Sequence, residues 1–298
     1  MTIAIIPARM ASTRFPGKPL ADIYGIPMLG HCYFRTAMSS LIDMVYIATC
    51  DDEIVEFAET INAPAVMTSE KHERASDRIA EAMIKIEEKE QEKHDVVVLV
   101  QGDEPMIHPD MIDDLVSIML DDPTVKVANG FAPIQNKKEF EDPNEVKVVI
   151  DNDGNAIYFS REPIPSEKKF GGSFSMFKQV CIIPFRREYL LEYNSISQTM
   201  LEKIESIDML RVLETGDKVR MVKMNHETYS VDTVEDLEKV REKMKLDALV
   251  EWLSEPNSPL RFQPETTLEM LQVPQSMDGI LAGLQQFQRI FSDAETHV

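Results

Sequence analysis

The sequence predicts an α/β protein whose first half is a mostly parallel sheet covered by helices on both faces. Short runs of apolar, β-branched residues alternate with helix-period segments over the first 130 residues. Two of these runs stop abruptly in polar turns, at 7–18 and 101–105. In such sheets ligands bind beyond the carboxyl ends of the strands. With 298 residues, 43% hydrophobic and 28% charged, the chain has room for a sizeable core and the profile of a soluble globular protein.

In order, residues 2–7 predict a buried strand, 27–40 a helix and 44–50 a second strand. The segment 51–62 is a helix opened by acids, as the helix dipole favours. "APAVMT" is a third strand, and 75–93 a helix with Ser76 or Asp77 near its cap. "DVVVLVQGDEP" (95–105) is a strand ending in a turn, followed by a helix over 109–120 and a strand over 125–133. From about 146 the pattern changes. "VKVVID", "AIYFSR" and "MFKQVCIIPFR" predict strands separated by Asp153-Gly154 and Gly171-Gly172 turns. Helices at 199–214 and 233–253 flank the strand "VRMVKM". The tail opens with a Pro-rich linker, "SEPNSPLRFQPE", and closes with an amphipathic helix candidate, "SMDGILAGLQQFQRIF".

No apolar run approaches the ~18 residues of a membrane span, and "MTIAIIPAR" lacks the basic start and long apolar stretch of a signal peptide. Cys32, Cys50 and Cys181 match neither a metal spacing nor an even disulfide framework, which fits a reducing cytoplasm. A net charge of −21 argues against a duplex nucleic-acid partner but allows a small anionic ligand where local cations outweigh the global repulsion.

Such cations follow the first strand. Arg9, Arg14 and Lys18 stand among Ser12, Thr13 and Gly17. Small residues let backbone N–H groups cradle phosphates, and the cations neutralise them. The spacing is neither a Walker A sequence nor GxGxxG, and a solvated turn with incidental basic residues is the alternative. Asp103 ends a buried strand and Asp232 stands where a strand gives way to a helix. Two carboxylates can hold Mg²⁺ against substrate phosphates. Alternatively, Asp103 closes a turn and Asp232 caps the helix beginning at Thr233. His31 and His72 have no partners at metal spacing and read as structural; the methionines read as core, and Cys50 and Cys181 as buried thiols.

The stretch "IIPARMASTRFPGKPL" resembles the signature of sugar nucleotidyltransferases, and most closely that of 3-deoxy-manno-octulosonate (Kdo) cytidylyltransferases, or CMP-Kdo synthetases. "QGDEPMI", "NEVKVV", "YFSREPIP", "LRVLETG" and "VDTVEDLEKV" are similar to family segments in the same order, so the resemblance spans roughly residues 3–243. It implies a Rossmann-like nucleotidyltransferase sheet plus a smaller mixed β part. A domain at 1–254 would divide into a nucleotide-binding part (1–150) and an acceptor and dimer part (151–232), with 255–298 as an extension. It further implies that Arg9, Ser12, Arg14 and Lys18 hold the phosphates of CTP, that the backbone of Ala8 faces cytosine, and that Arg78 lies near the nucleotide. Asp103 and Asp232 would hold Mg²⁺, and Gln101 and Arg161 would contact the sugar acid. The expected assembly is a cytoplasmic homodimer joined through the region after 155.

The acceptor half departs from the family pattern. Arg74-Ala75 replaces Ser-Gly, Gln179 and Ile183 replace histidine and tyrosine, and Asp208-Met209 replaces Glu-Gln. Methionine offers almost no hydrogen bond, and sites that bond hydroxyls discriminate strongly. The lost partners leave open an amino-Kdo variant or another acid as acceptor, and Arg74 adds a cation, which favours a more acidic or smaller acceptor such as a phosphonate. A non-catalytic nucleotide-binding protein is the reading from a different class.

Overall fold

A computed structural model describes residues 1–251 except Thr13, Phe170, Gly171, Ser173, Ala248 and Leu249. The tail helix and linker expected after 254, the last residues of the 233–253 helix and Gly171 of the second turn lie outside the described residues.

In chain order the elements are β1 (Thr2–Pro7), β2 (Asp22–Ile23), β3 (Ile26–Pro27), α1 (Met28–Ala37), β4 (Met44–Thr49), α2 (Asp52–Thr60) and β5 (Ala65–Met67). Next come α3 (Ala75–Glu90), β6 (Val96–Val100), α4 (Pro109–Asp121), β7 (Ala128–Pro133), α5 (Lys137–Glu141), β8 (Lys147–Ile150) and β9 (Ala156–Ser160). The last are β10 (Phe177–Val180), β11 (Ile182–Arg186), α6 (Arg187–Ser195), α7 (Met200–Glu205), α8 (Met209–Glu214), β12 (Arg220–Lys223) and α9 (Val234–Lys243).

The first sheet has the order β11-β6-β1-β4-β5. Its inner strands run parallel, with Ile3 opposite Met44 on one side of β1 and Thr2 opposite Val96 on the other; only the edge strand β11 is antiparallel. Because both faces are covered, β1 and β6 are apolar throughout rather than alternating. Successive side chains still point oppositely. Ala4 and Ile6 join a core with Leu29, Val98 and Leu115 under α1 and α4. Ile3 and Ile5 join another with Val97, Leu99, Ile79 and Phe185 under α3 and α6. From β1 the chain winds outward to β4 and β5, then returns to lay β6 on the other side of β1. The strand order therefore reverses between β1 and β6, which is the crevice where open α/β sheets hold ligands.

The second sheet, β12-β7-β10-β8-β9, is mixed. It has five strands, as the first does. Three expectations of the sequence are corrected here. The strand expected over 125–133 touches the first sheet only at its start, where Val127 lies opposite Phe185; its main part, β7, pairs with β10 and β12. "MFKQVCIIPFR" is not one strand. The chain changes sheets at Cys181, with Val180 opposite Gly130 and Ile182 opposite Val100. The helix expected over 199–214 is two, broken by Ser206 at a φ of 55°. Side chains from before and after residue 150, including Ile5, Leu99, Phe159, Phe185 and Met221, share one core. A third cluster packs Ile23 and Met28 against Val231, Leu237 and Val240, tying α9 to the start of the chain. No described helix is long and apolar enough to cross a membrane.

Candidate active site

The crevice between β1 and β6 opens into a cavity of about 670 Å³. Its floor is set by close packing: a side chain at Gly102 would place Cβ 3.0 Å from the carbonyl oxygen of Pro7. The loop after β1 is fixed at both ends. Ala8 N–H donates to the Ala48 carbonyl at 2.9 Å, and Met10 N–H donates to Asp51 Oδ2 at 2.7 Å. Asp51, expected as a helix-opening acid, thus directs its carboxylate to the loop and makes no side-chain cap on α2. Ser12 Oγ accepts from Phe15 N–H at 3.2 Å, and Gly17 takes a left-handed φ of 74° before the turn that carries Lys18.

Lys18 is the pivot of the site. Its Nζ donates to Asp103 Oδ2 at 2.6 Å and to the Val231 carbonyl at 2.8 Å, and lies 3.5 Å from Asp232 Oδ1. Arg14 donates to the same Asp232 oxygen at 2.9 Å and to Asn144 Oδ1 at 3.1 Å. Between the two chain segments, Val231 N–H donates to the Asp103 carbonyl at 2.9 Å. The two aspartates therefore meet around one cationic nitrogen at the mouth of the cavity. Asp232 does not cap α9; Thr233 does, in a capping box with Asp236. A carboxylate pair that already shares an ammonium has the charge and spacing to fit a divalent cation.

Ala8, Arg9, Ser12, Arg74, Arg78 and Gln101 also line the cavity. Arg78, although it stands on α3 among charged residues, is not a surface residue and makes no pair with Glu81. It is 3% exposed, one nitrogen donates to Thr68 Oγ1 at 2.5 Å, and its other terminal nitrogen is buried with no partner among the described residues. Such a group calls for an acceptor from a ligand. Glu81 instead binds Lys85 and His72, and it accepts from Ser69 N–H. These contacts outweigh its burial and hold its carboxyl near 2. Arg9 is exposed on the rim. Among the described lining residues, five Arg and Lys side chains face Glu73, Asp103 and Asp232, a local excess of positive charge in a chain of −21.

The residues expected around the acceptor behave differently. The guanidinium of Arg161 donates to the carbonyls of Glu205, Pro143 and Ser206, so it fastens loops instead of lining the cavity. Gln179 donates to Asn129 Oδ1 at 2.5 Å and is likewise away from the lining. Arg74 does line the cavity, but it adds no uncompensated charge. It lies 3.2 Å from Asp208 Oδ1 and 4.0 Å from Glu202 Oε1. Burial raises the Asp208 carboxyl above the usual range against the pull of Arg74. Met209 and Ile183 are buried in the core, at 1% and 5% exposure.

Glu104, adjacent to Asp103, was not singled out in the sequence. It is 6% exposed, Oε1 accepts from Cys181 N–H at 3.4 Å and Oε2 has no partner. Burial and the charge of Asp103 push its carboxyl up to about 7. A charged residue at the end of an all-apolar strand was the available signal. His31 is buried against the Ile23 carbonyl and, depressed by burial to about 4, stays neutral. Cys50 and Cys181 are half-buried where the sequence predicted burial, while Cys32 is fully buried; all three are free thiols.

The family model described as cytidylyltransferase matches residues 3–223. The 3-deoxy-manno-octulosonate cytidylyltransferase of Pelobacter propionicus is 42% identical over 252 residues, covering 81% of this chain and 96% of that protein. The enzyme of the same name from Geobacter sulfurreducens is also 42% identical, covering 81% and 98%. This chain belongs to the 3-deoxy-manno-octulosonate cytidylyltransferase family. Among solved structures, a CMP:2-keto-3-deoxy-manno-octonic acid synthetase complexed with CTP matches with a TM-score of 0.76 and 36% identity, over 83% of this chain and 99% of that one. A cytidylyltransferase from Leptospira borgpetersenii, 18% identical with a TM-score of 0.55, shares the fold. Membership makes this chain a nucleotidyltransferase and accounts for a basic loop at a switch point that lacks both common nucleotide fingerprints.

Proposed function

We propose that this transferase moves CMP from CTP to 3-deoxy-manno-octulosonate and releases pyrophosphate. The observation that carries this reading is the meeting of Asp103 and Asp232 at Lys18, on the rim of a cavity lined by Arg9, Arg14 and Arg78. In the reaction the anomeric hydroxyl of the sugar acid bonds to the α-phosphorus of CTP and the bond to the β-phosphate oxygen breaks. No protein nucleophile is required. Arg9, Ser12, Arg14 and Lys18 hold phosphates, the free nitrogen of Arg78 donates to a nucleotide oxygen, and the backbone of Ala8 lies against cytosine. Asp103 and Asp232 would hold a divalent cation, taken as Mg²⁺, whose chemistry is to neutralise charge that develops on the phosphates. Lys18, released from its carboxylates, turns to the transferred phosphate. Positioning and charge neutralisation supply the rate.

A second acceptor stays open because Gln179 is spent on Asn129, Arg161 on backbone carbonyls, and Met209 is core. The pairing of Arg74 with Asp208 removes the reason to expect a more acidic acceptor such as a phosphonate. Assembly as a homodimer is supported by Ile157, Met200 and Ile204, large apolar side chains 57–69% exposed in the region after 155. Light scattering on the purified chain tests that.

The deciding experiment measures pyrophosphate release with CTP, Mg²⁺ and a panel of 2-keto sugar acids. Release with Kdo, lost in Asp103→Ala and in Asp232→Ala, supports the proposal. Release only with another acid moves the acceptor, and CTP binding with no release on any acid overturns catalysis.

A further inference from the structure

We propose that His108, Asp110 and His226 form a second metal site, suited to a transition ion of the Zn²⁺ class, which clips together the two chain segments that carry Asp103 and Asp232. His108 and Asp110 sit at the start of α4, five and seven residues beyond Asp103. His226 lies on the loop between β12 and α9, six residues before Asp232. One ligand atom from each of the three lies within 4.8 Å of the other two, and Asp110 is the exposed member.

The local chemistry favours a cation there. The imidazoles of His108 and His226 stack with centroids 3.7 Å apart and planes 10° from parallel. Nδ1 of His108 accepts the Asp110 backbone N–H at 3.3 Å, so it carries a lone pair and not a proton. That same nitrogen lies 3.6 Å from Asp110 Oδ2, and Nε2 of His226 lies 3.9 Å from it. These separations exceed a hydrogen bond. They approach the edge of about 3.3–3.4 Å that ligands span around a tetrahedral ion with bonds near 2.0–2.1 Å. A lone pair facing a carboxylate oxygen is repulsive until a cation comes between them. Rotating one ring about its soft Cβ–Cγ bond and giving up the long cap contact closes the remaining gap. Two imidazoles and one carboxylate form the donor set preferred by Zn²⁺, with Co²⁺ and Ni²⁺ as close competitors; Mg²⁺ prefers an all-oxygen shell. Asp114, one turn further along α4, interacts electrostatically with both Asp110 and His226.

The test uses the full-length chain stripped with EDTA and titrated with Co²⁺ by visible absorption and with Zn²⁺ by calorimetry. Expected are one equivalent bound with d–d bands of a low-coordinate Co²⁺ site, and a Zn²⁺-dependent rise in Tm. His226→Asn and Asp110→Asn, which leave the His108 cap in place, weaken binding by roughly ten- to hundredfold and abolish the Tm rise. The double variant Asp103→Asn/Asp232→Asn keeps both signals, which separates this site from the catalytic carboxylates. The site does not exist if the wild-type chain shows no saturable binding below about 100 μM ion at neutral pH. It is equally overturned if His226→Asn binds as tightly as wild type, or if the Asp103→Asn/Asp232→Asn variant loses the signals.

Discussion

Glu104 and Arg78 both sit in environments that differ from what their residue types suggest. Folding holds the Glu104 carboxyl at about 7 against an ordinary value of 4.5, chiefly by burial. Between those values the folded chain binds more protons at this position than the unfolded one, so its contribution to stability falls as pH rises from about 4.5 to 7 and is level above. Glu104→Gln keeps an acceptor for Cys181 N–H and removes the titration. Urea denaturation should show the variant gaining on wild type between pH 5 and pH 8, by up to about 3 kcal/mol. Equal pH dependence of the two proteins would mean that Glu104 is not held neutral. Arg78 lines the cavity with one nitrogen fixed to Thr68 and another buried with no partner among the described residues. Arg78→Lys retains the charge but loses the fork. We expect KM for CTP to rise about tenfold, the size of one lost charged hydrogen bond, with kcat little changed. A change confined to kcat would place Arg78 at the reacting phosphate. Nothing in the local sequence distinguishes Arg78 from a surface arginine. Its burial follows from the packing of α3 on the sheet, which depends on residues far along the chain.

Elements 199–214 show how a correct helical reading misses its own interruption. The apolar spacing is helical throughout, but Ser206 at positive φ turns the chain so that Ile207 enters the core. The resulting pair, α7 and α8, is locked by Arg211, whose guanidinium grips Glu202 at 2.8 and 2.5 Å while Glu202 itself is fully buried. Arg211→Leu would leave that buried carboxylate only the more distant Arg74 as a cationic neighbour, and chemical denaturation should register a loss of about 3–5 kcal/mol. Arg211→Leu combined with Glu202→Leu should recover much of it. The division of "MFKQVCIIPFR" between two sheets has a similar origin. Both halves are good strand sequence; the partners that separate them, Gly130 and Val100, are remote.

At the scale of the molecule, the relatives match about four-fifths of this chain but nearly all of their own length. Among the described residues, the cavity and the core clusters are built from residues up to Val250. A chain ending after residue 254 keeps all of these residues and should keep pyrophosphate release within about twofold of the full chain. Loss of activity on truncation would give the tail a part in the site. By itself the sequence determined the α/β class, the order of the first sheet's strands and their helices to Val100 (though not the short β2–β3 hairpin), and the basic loop at the end of β1. Those features are written in local apolar period and residue chemistry. Only the tertiary structure decided that Lys18 stands between Asp103 and Asp232, at sequence distances of 85 residues and more. It also decided that Arg74 is matched by Asp208, that Arg161 donates to backbone carbonyls and that Gln179 donates to Asn129. The physical reason is that strand order and sheet switching bring remote segments together, and a charge acquires its role from the neighbours that this arrangement supplies.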